Sequence, residues 1–164
     1  MSILGLIHTI IAIIALVFAA NGLIKTGFVS PFSATGKWYS IMTVLACLTS
    51  FGLSKAGGFN PGHAIGILIL VLLAIAYLIG KNASRKRILL YVQVFAMTAT
   101  VFLSLIPAVN ETLSRVPAGA PLATGPDDPL VQNVVKVLLV LFIIGVTAQI
   151  LKLRKTSLAA QQAA

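Results

Sequence analysis

Long apolar stretches separated by short polar breaks dominate this chain. Five runs stand out: 3–24, 38–53, 63–79, 88–109 and 131–153. A helix that crosses a bilayer needs about 20 apolar residues, within a range of about 17 to 25. Four runs reach that range, and 38–53 is the short one. The breaks carry Gly and Pro, which supply unusual backbone angles and stop helices. Residues 25–37 hold Gly27, Pro31 and Gly36; residues 54–62 hold Gly57, Gly58 and Pro61; residues 110–130 hold Pro117, Pro121, Pro126 and Pro129. Residues 81–87 are basic instead. The runs lack the two-residue alternation of a membrane β-barrel. The pattern predicts an all-α membrane protein, a single domain over 1–164 built as a bundle of five transmembrane helices, with 154–164 as a short cytoplasmic tail. No internal repeat is evident.

Within the runs, small and polar residues recur at helical spacing. Gly5, His8, Ala12, Ala15, Ala19 and Gly22 fall on one face of the first helix. Ser40, Thr43, Cys47, Ser50 and Ser54 do so on the second, and Gln93, Met97, Thr100, Ser104 and Pro107 on the fourth. Small residues let membrane helices approach closely, and hydroxyls bond across them. These stripes are expected to face the bundle interior, with Ile, Leu, Val and Phe facing lipid.

Composition agrees. Of 164 residues, 59% are hydrophobic and 9% charged, against about a quarter charged in soluble domains. The mean hydropathy is +1.04. A water-soluble fold of this size could not hide that much apolar surface.

The net charge of +9 raises the question of nucleic acid, but the position of the charges argues against it. Lys25, Lys37, Lys81, Arg85, Lys86, Arg87, Lys152, Arg154 and Lys155 cluster at one set of helix ends. Lys55 and Arg115 lie at the other set, as do Glu111, Asp127 and Asp128. Such asymmetry places the basic side in the cytoplasm. The expected location is the inner (plasma) membrane, multi-pass, with the N-terminus outside and the C-terminus in the cytoplasm. The first run lacks a basic segment ahead of it and is too long for a signal-peptide core, so it is read as a retained span. Trp38, Tyr39, Tyr77 and Tyr91 are read as interfacial anchors at cytoplasmic helix ends.

Candidate chemistry is sparse. His8 lies about 7 Å and Cys47 about 9 Å in from the outer helix ends, and His63 lies at that surface. Imidazole and thiolate suit zinc, copper or haem iron, so His8 and His63 form a candidate metal or haem pair. Cys47 is the one cysteine, which removes an intramolecular disulfide and a Cys-pair motif. Lys136 stands inside the fifth run near acidic Glu111, and an intramembrane lysine either snorkels or pairs with a carboxylate. His8, Cys47, His63, Glu111 and Lys136 thus make up a candidate polar outer-leaflet site. The proline-rich stretch 107–129 is a candidate lid over it.

The stretch from His8 to Tyr77 resembles an uncharacterised family of bacterial integral membrane proteins. Its members carry a histidine in the first span, a His-Arg-x-x-Gly-(Arg/Lys)-x-Tyr element opening the second and Gly-Phe-x-x-x-His opening the third. Here those places read His8, then Thr35-Gly36-Lys37-Trp38-Tyr39, then Gly58-Phe59-Asn60-Pro61-Gly62-His63. The His-Arg pair falls at Phe32-Ser33 and is absent. The resemblance implies a bundle of four or five helices and draws attention to His8 and His63.

No hydrolase, kinase or nucleotide-binding signature is present, so a catalytic role is not expected, though the sequence leaves it open. The first functional reading is a non-enzymatic accessory subunit in the bilayer, packing against a membrane-protein partner or another copy of itself. No resident cofactor and no nucleic-acid partner are expected. Two alternatives stand: a membrane redox protein holding haem or a transition metal on His8 and His63, and a small transporter or permease subunit using Lys136 and Glu111.

Overall fold

A computed structural model describes residues 2–53, 58–81 and 86–162, with side chains through Lys155. Lys55, Ser54, Arg85 and the last two residues of the expected tail lie outside the described residues. The described chain is helical: α1 (Ile3–Thr26), α2 (Ala34–Ser50) with a 3-10 turn (Phe51–Leu53) on its end, α3 (Pro61–Gly80), α4 (Arg87–Leu113) and α5 (Pro129–Gln162). Four of these helices are long and apolar enough to cross a membrane: α1, α3, α4 and residues 129–155 of α5. The chain is a multi-pass membrane protein on that ground. α2 has 17 residues and is the shortest helix.

Local chemistry explains the ends. Ser2 Oγ accepts the Gly5 N–H at 3.1 Å, Ser33 Oγ accepts the Gly36 N–H at 3.1 Å, and Asn60 Oδ1 accepts the His63 N–H at 3.1 Å. Each side chain satisfies a donor that the first helical turn leaves orphaned. The Ser33 cap starts α2 at Ala34, four residues before the expected 38. α1 ends where Gly27 takes φ 78° and returns its N–H to Leu23 O, a left-handed stop that favours glycine. α4 runs through Pro107 to Leu113, past the expected end at 109. Proline removes one N–H, a loss that membrane helices tolerate where neighbouring groups compensate.

α1 packs on α2, α2 on α3, α3 on α4, and α4 closes back onto α1; α5 leans chiefly on α4. Four helices therefore form a ring with the fifth outside it. The expected α1 stripe is the least exposed face of that helix, with Ala15, Ala19 and Gly22 fully buried. Thr43 and Cys47 of α2 and Gln93, Met97 and Thr100 of α4 are buried as expected. The centre holds Tyr39, Met97 and Thr100, each essentially without exposure. Outside, Ile10, Ile13 and Val17 of α1 and Val137, Val140 and Ile144 of α5 are about half exposed or more. A polar-flecked interior under an apolar skin suits hydrocarbon as the surrounding solvent.

The α1–α2 turn is held tightly. Val29 is buried, and the Ser30 carbonyl lies where a Cβ on Gly36 would be only 1.8 Å away. Glycine is the residue that admits this approach.

Candidate functional site

The helix ends near the 3-10 turn bring the two histidines to the last turns of α2. His8 Nδ1 of α1 lies 3.0 Å from Ala46 O and 3.1 Å from Thr49 Oγ1. A carbonyl only accepts, so Nδ1 carries a proton and donates it to Ala46 O. Thr49 Oγ1 in turn donates to Leu45 O and Ala46 O, each at 2.9 Å. His63 of α3 approaches a different flank. Its ring meets Phe51 edge-on at 5.6 Å and Phe59 at 5.8 Å. It stands third in α3, at the helix end, and is 9% exposed, with Phe51 and Phe59 against its ring. Its Nε2 is buried without a hydrogen-bond partner, which carries a cost in an apolar setting. α2 thus lies between the two imidazoles.

Cys47 points into the core shared with Tyr39, Ala76 and Met97. Its sulfur is buried as a free thiol, the setting of an inert structural cysteine. Among the described residues, no group of three or more His, Cys, Asp or Glu side chains is placed to hold a metal ion.

Lys136, read as snorkelling or pairing with a carboxylate, is not paired with Glu111. Glu111 pairs with Arg115 one turn on, both about half exposed, and the i,i+4 spacing favours that partner. Lys136 Nζ instead donates to Asn133 Oδ1 at 3.4 Å. Beside it lies a cleft of about 330 Å³ between Ile106 and Asn110 of α4, Pro126 of the connecting loop, and Val131, Val135 and Lys136 of α5.

The connector is shorter than the expected 107–129, because Pro107–Leu113 belongs to α4 and Pro129 opens α5. Two contacts tie it down. Ala123 is buried and its N–H donates to Leu113 O at 3.0 Å. Asp128 Oδ2 accepts from Thr124 N and Oγ1, and Oδ1 accepts from Leu130 N. Those N–H donors hold the Asp128 carboxyl below the usual carboxylate range.

Two polar links escaped the reading of the sequence. Tyr39, taken for an interfacial anchor, is fully buried and donates to Thr100 Oγ1 at 2.8 Å. It crosses the ring between α2 and α4, and Thr100 Oγ1 donates its own hydrogen bond to Met97 O at 2.7 Å. Its spacing of four from Thr43 was the available signal. The other link is Gln149 of α5. Its Oε1 accepts from Thr98 Oγ1 of α4 at 2.8 Å, and its Nε2 donates to Gly27 O at 2.8 Å. One turn on, Lys152 Nζ donates to Thr26 O at 2.9 Å and lies over the Phe28 ring. Trp38 and Tyr77 are about half exposed, and Tyr77 stacks with Phe32 beneath Lys81.

Comparison with family models, with curated proteins and with solved structures finds no match.

Proposed function

We propose that this chain is a five-span integral protein of the inner (plasma) membrane that acts as a non-enzymatic accessory subunit beside a membrane partner or a second copy of itself. The observation that carries this reading is how the interior polar groups are used. Tyr39–Thr100, Thr98–Gln149–Gly27 and His8–Ala46 each tie one helix to another. Side chains spent on holding helices together suit a scaffold.

The fifth span is α2. Its 17 residues rise about 26 Å and the 3-10 turn adds about 6 Å, together close to the hydrocarbon thickness of about 30 Å. Basic residues at the α1–α2, α3–α4 and carboxyl-terminal ends support the N-outside, C-inside orientation. The partial resemblance to the bacterial membrane family fits the same bundle. Affinity purification of the full chain from mild detergent is expected to bring down one stoichiometric membrane partner or a homo-oligomer. Recovery of a monodisperse, partner-free monomer at native expression would overturn the accessory role. A reporter fused after Lys155 is expected to be active only in the cytoplasm.

A second reading has its own observation. The unpartnered Nε2 of His63 is the atom a haem iron or a transition metal would take, with His8 on the other flank of α2 not sharing it. A Soret band, or stoichiometric metal lost in His63→Ala, would favour that reading. A featureless spectrum together with sub-stoichiometric metal would remove it.

A further inference from the structure

We infer that the cleft between α4 and α5 is a binding site for an anionic phospholipid, with a stretch of acyl chain in the cleft and the headgroup phosphate on Lys136. The inference rests on the bilayer as surroundings and not on the accessory role. Its first support is an account of charges. Lys136 lies in an apolar run, where an unpaired ammonium is costly. The chain has three acids, and none forms an ion pair with Lys136. Glu111 is taken by Arg115. Asp128 is engaged by Thr124 and Leu130. Asp127 lies on the loop, where its backbone carbonyl accepts from Gln132 Nε2. What Lys136 has is one long bond to the neutral Asn133. The cation therefore calls for an anion from outside the chain.

The second support is shape. At about 330 Å³ the cleft is at the lower end of small-molecule pockets, enough for part of a chain. Ile106, Val131, Val135 and Pro126 give it apolar walls, and Asn110, Gln132 and Lys136 complete its lining. Apolar walls under one cation complement an amphiphile with an anionic head. The third support is depth. Lys136 lies seven positions after Pro129, about 10 Å along α5. A helical Cβ leans toward the helix start, so this side chain reaches back toward the headgroups of that leaflet, as its contact with Asn133 shows. Simple snorkelling would need the cation but not the cleft, and that difference is testable.

The full chain in detergent is titrated with phosphatidylglycerol, phosphatidylcholine or oleate, and bound lipid is read by native mass spectrometry beside thermal unfolding. Phosphatidylglycerol is expected to be retained and to raise Tm, and phosphatidylcholine to do neither. Lys136→Met should weaken phosphatidylglycerol binding by about tenfold or more, the loss of one charge-assisted contact, and Lys136→Arg should restore it. Val135→Phe, which fills the cleft and keeps the lysine, should also weaken it. Arg154→Gln at the opposite end should not. Lipid-free Tm checks the fold of each variant, and Val135→Phe carries the test if Lys136→Met does not fold. Undiminished binding in Lys136→Met, or in Val135→Phe, overturns the site. So does equal binding of phosphatidylcholine, or of oleate in place of phospholipid. Such a failure leaves the partner purification untouched, so the two proposals fail separately.

Discussion

At the scale of single residues, hydrocarbon surroundings change what a polar side chain is worth. Tyr39 is buried in the centre and bonded to Thr100. Interhelical hydrogen bonds in membranes average about 0.6 kcal/mol and reach about 1.7. Tyr39→Phe keeps the ring and leaves Thr100 donating to Met97 O, so a loss within that range is expected by thermal unfolding in detergent. Tyr39→Ala removes the ring as well, and a cavity of that kind costs about 3–5 kcal/mol. Equal losses in the two variants would show that the ring contributes nothing. Gly36 makes a sharper case. A Cβ there would be 1.8 Å from the backbone oxygen of Ser30, which cannot swing away as a side chain does. Gly36→Ala is expected to cost at least about 3 kcal/mol, the upper end of ordinary overpacking, and to lower the yield of folded protein. Gly145→Ala on α5 meets nothing within 4 Å and should stabilise by up to about 1 kcal/mol through helix propensity. The stripe residues and the two histidines stood out in the sequence because spacing places them on faces. The cap role of Ser33 and the need for glycine at 36 did not, because both depend on where residue 30 returns.

The elements differ in how firmly they are held. α5 packs chiefly on α4, and in its second half Gln149 bridges Thr98 and the Gly27 carbonyl. Gln149→Leu leaves both partners unmatched. A loss of about 1–2 kcal/mol is expected, with faster amide exchange concentrated in α5. Uniform acceleration across all helices would show that the bridge is not specific to α5. The start of α5 depends on Asp128. Its carboxyl is held below its unfolded value by the Thr124 and Leu130 N–H groups. The sign follows from linkage: the stabilisation is present above the unfolded value near about 4 and fades as pH falls through the lower folded value. The Thr124 and Leu130 amide resonances should therefore shift only below pH of about 4, and Asp128→Ala should abolish that titration. Helix existence was legible in the run lengths. Helix ends were less so: α2 starts four residues early and α4 continues past 109 to Leu113, because caps and neighbours, not hydropathy, decide where a helix stops.

For the whole molecule, the governing fact is which side of each helix meets solvent. Val140 of α5 is about half exposed, on the face away from α4. Val140→Lys is expected to oppose membrane insertion by about 3 kcal/mol in a translocation assay. A chain that instead became better behaved without detergent would contradict the membrane reading. The sequence by itself determined the apolar runs, the small-residue faces and the one-sided basic charge, because each of these is a property of spacing along the chain. Only the tertiary structure decided who meets whom. It paired Glu111 with Arg115 and left Lys136 beside a cleft, since side-chain reach between α4 and α5 depends on their crossing. It buried Tyr39 across the ring and set His8 and His63 on separate flanks of α2, since helix rotation about its axis is fixed by packing against neighbours and not by the order of residues.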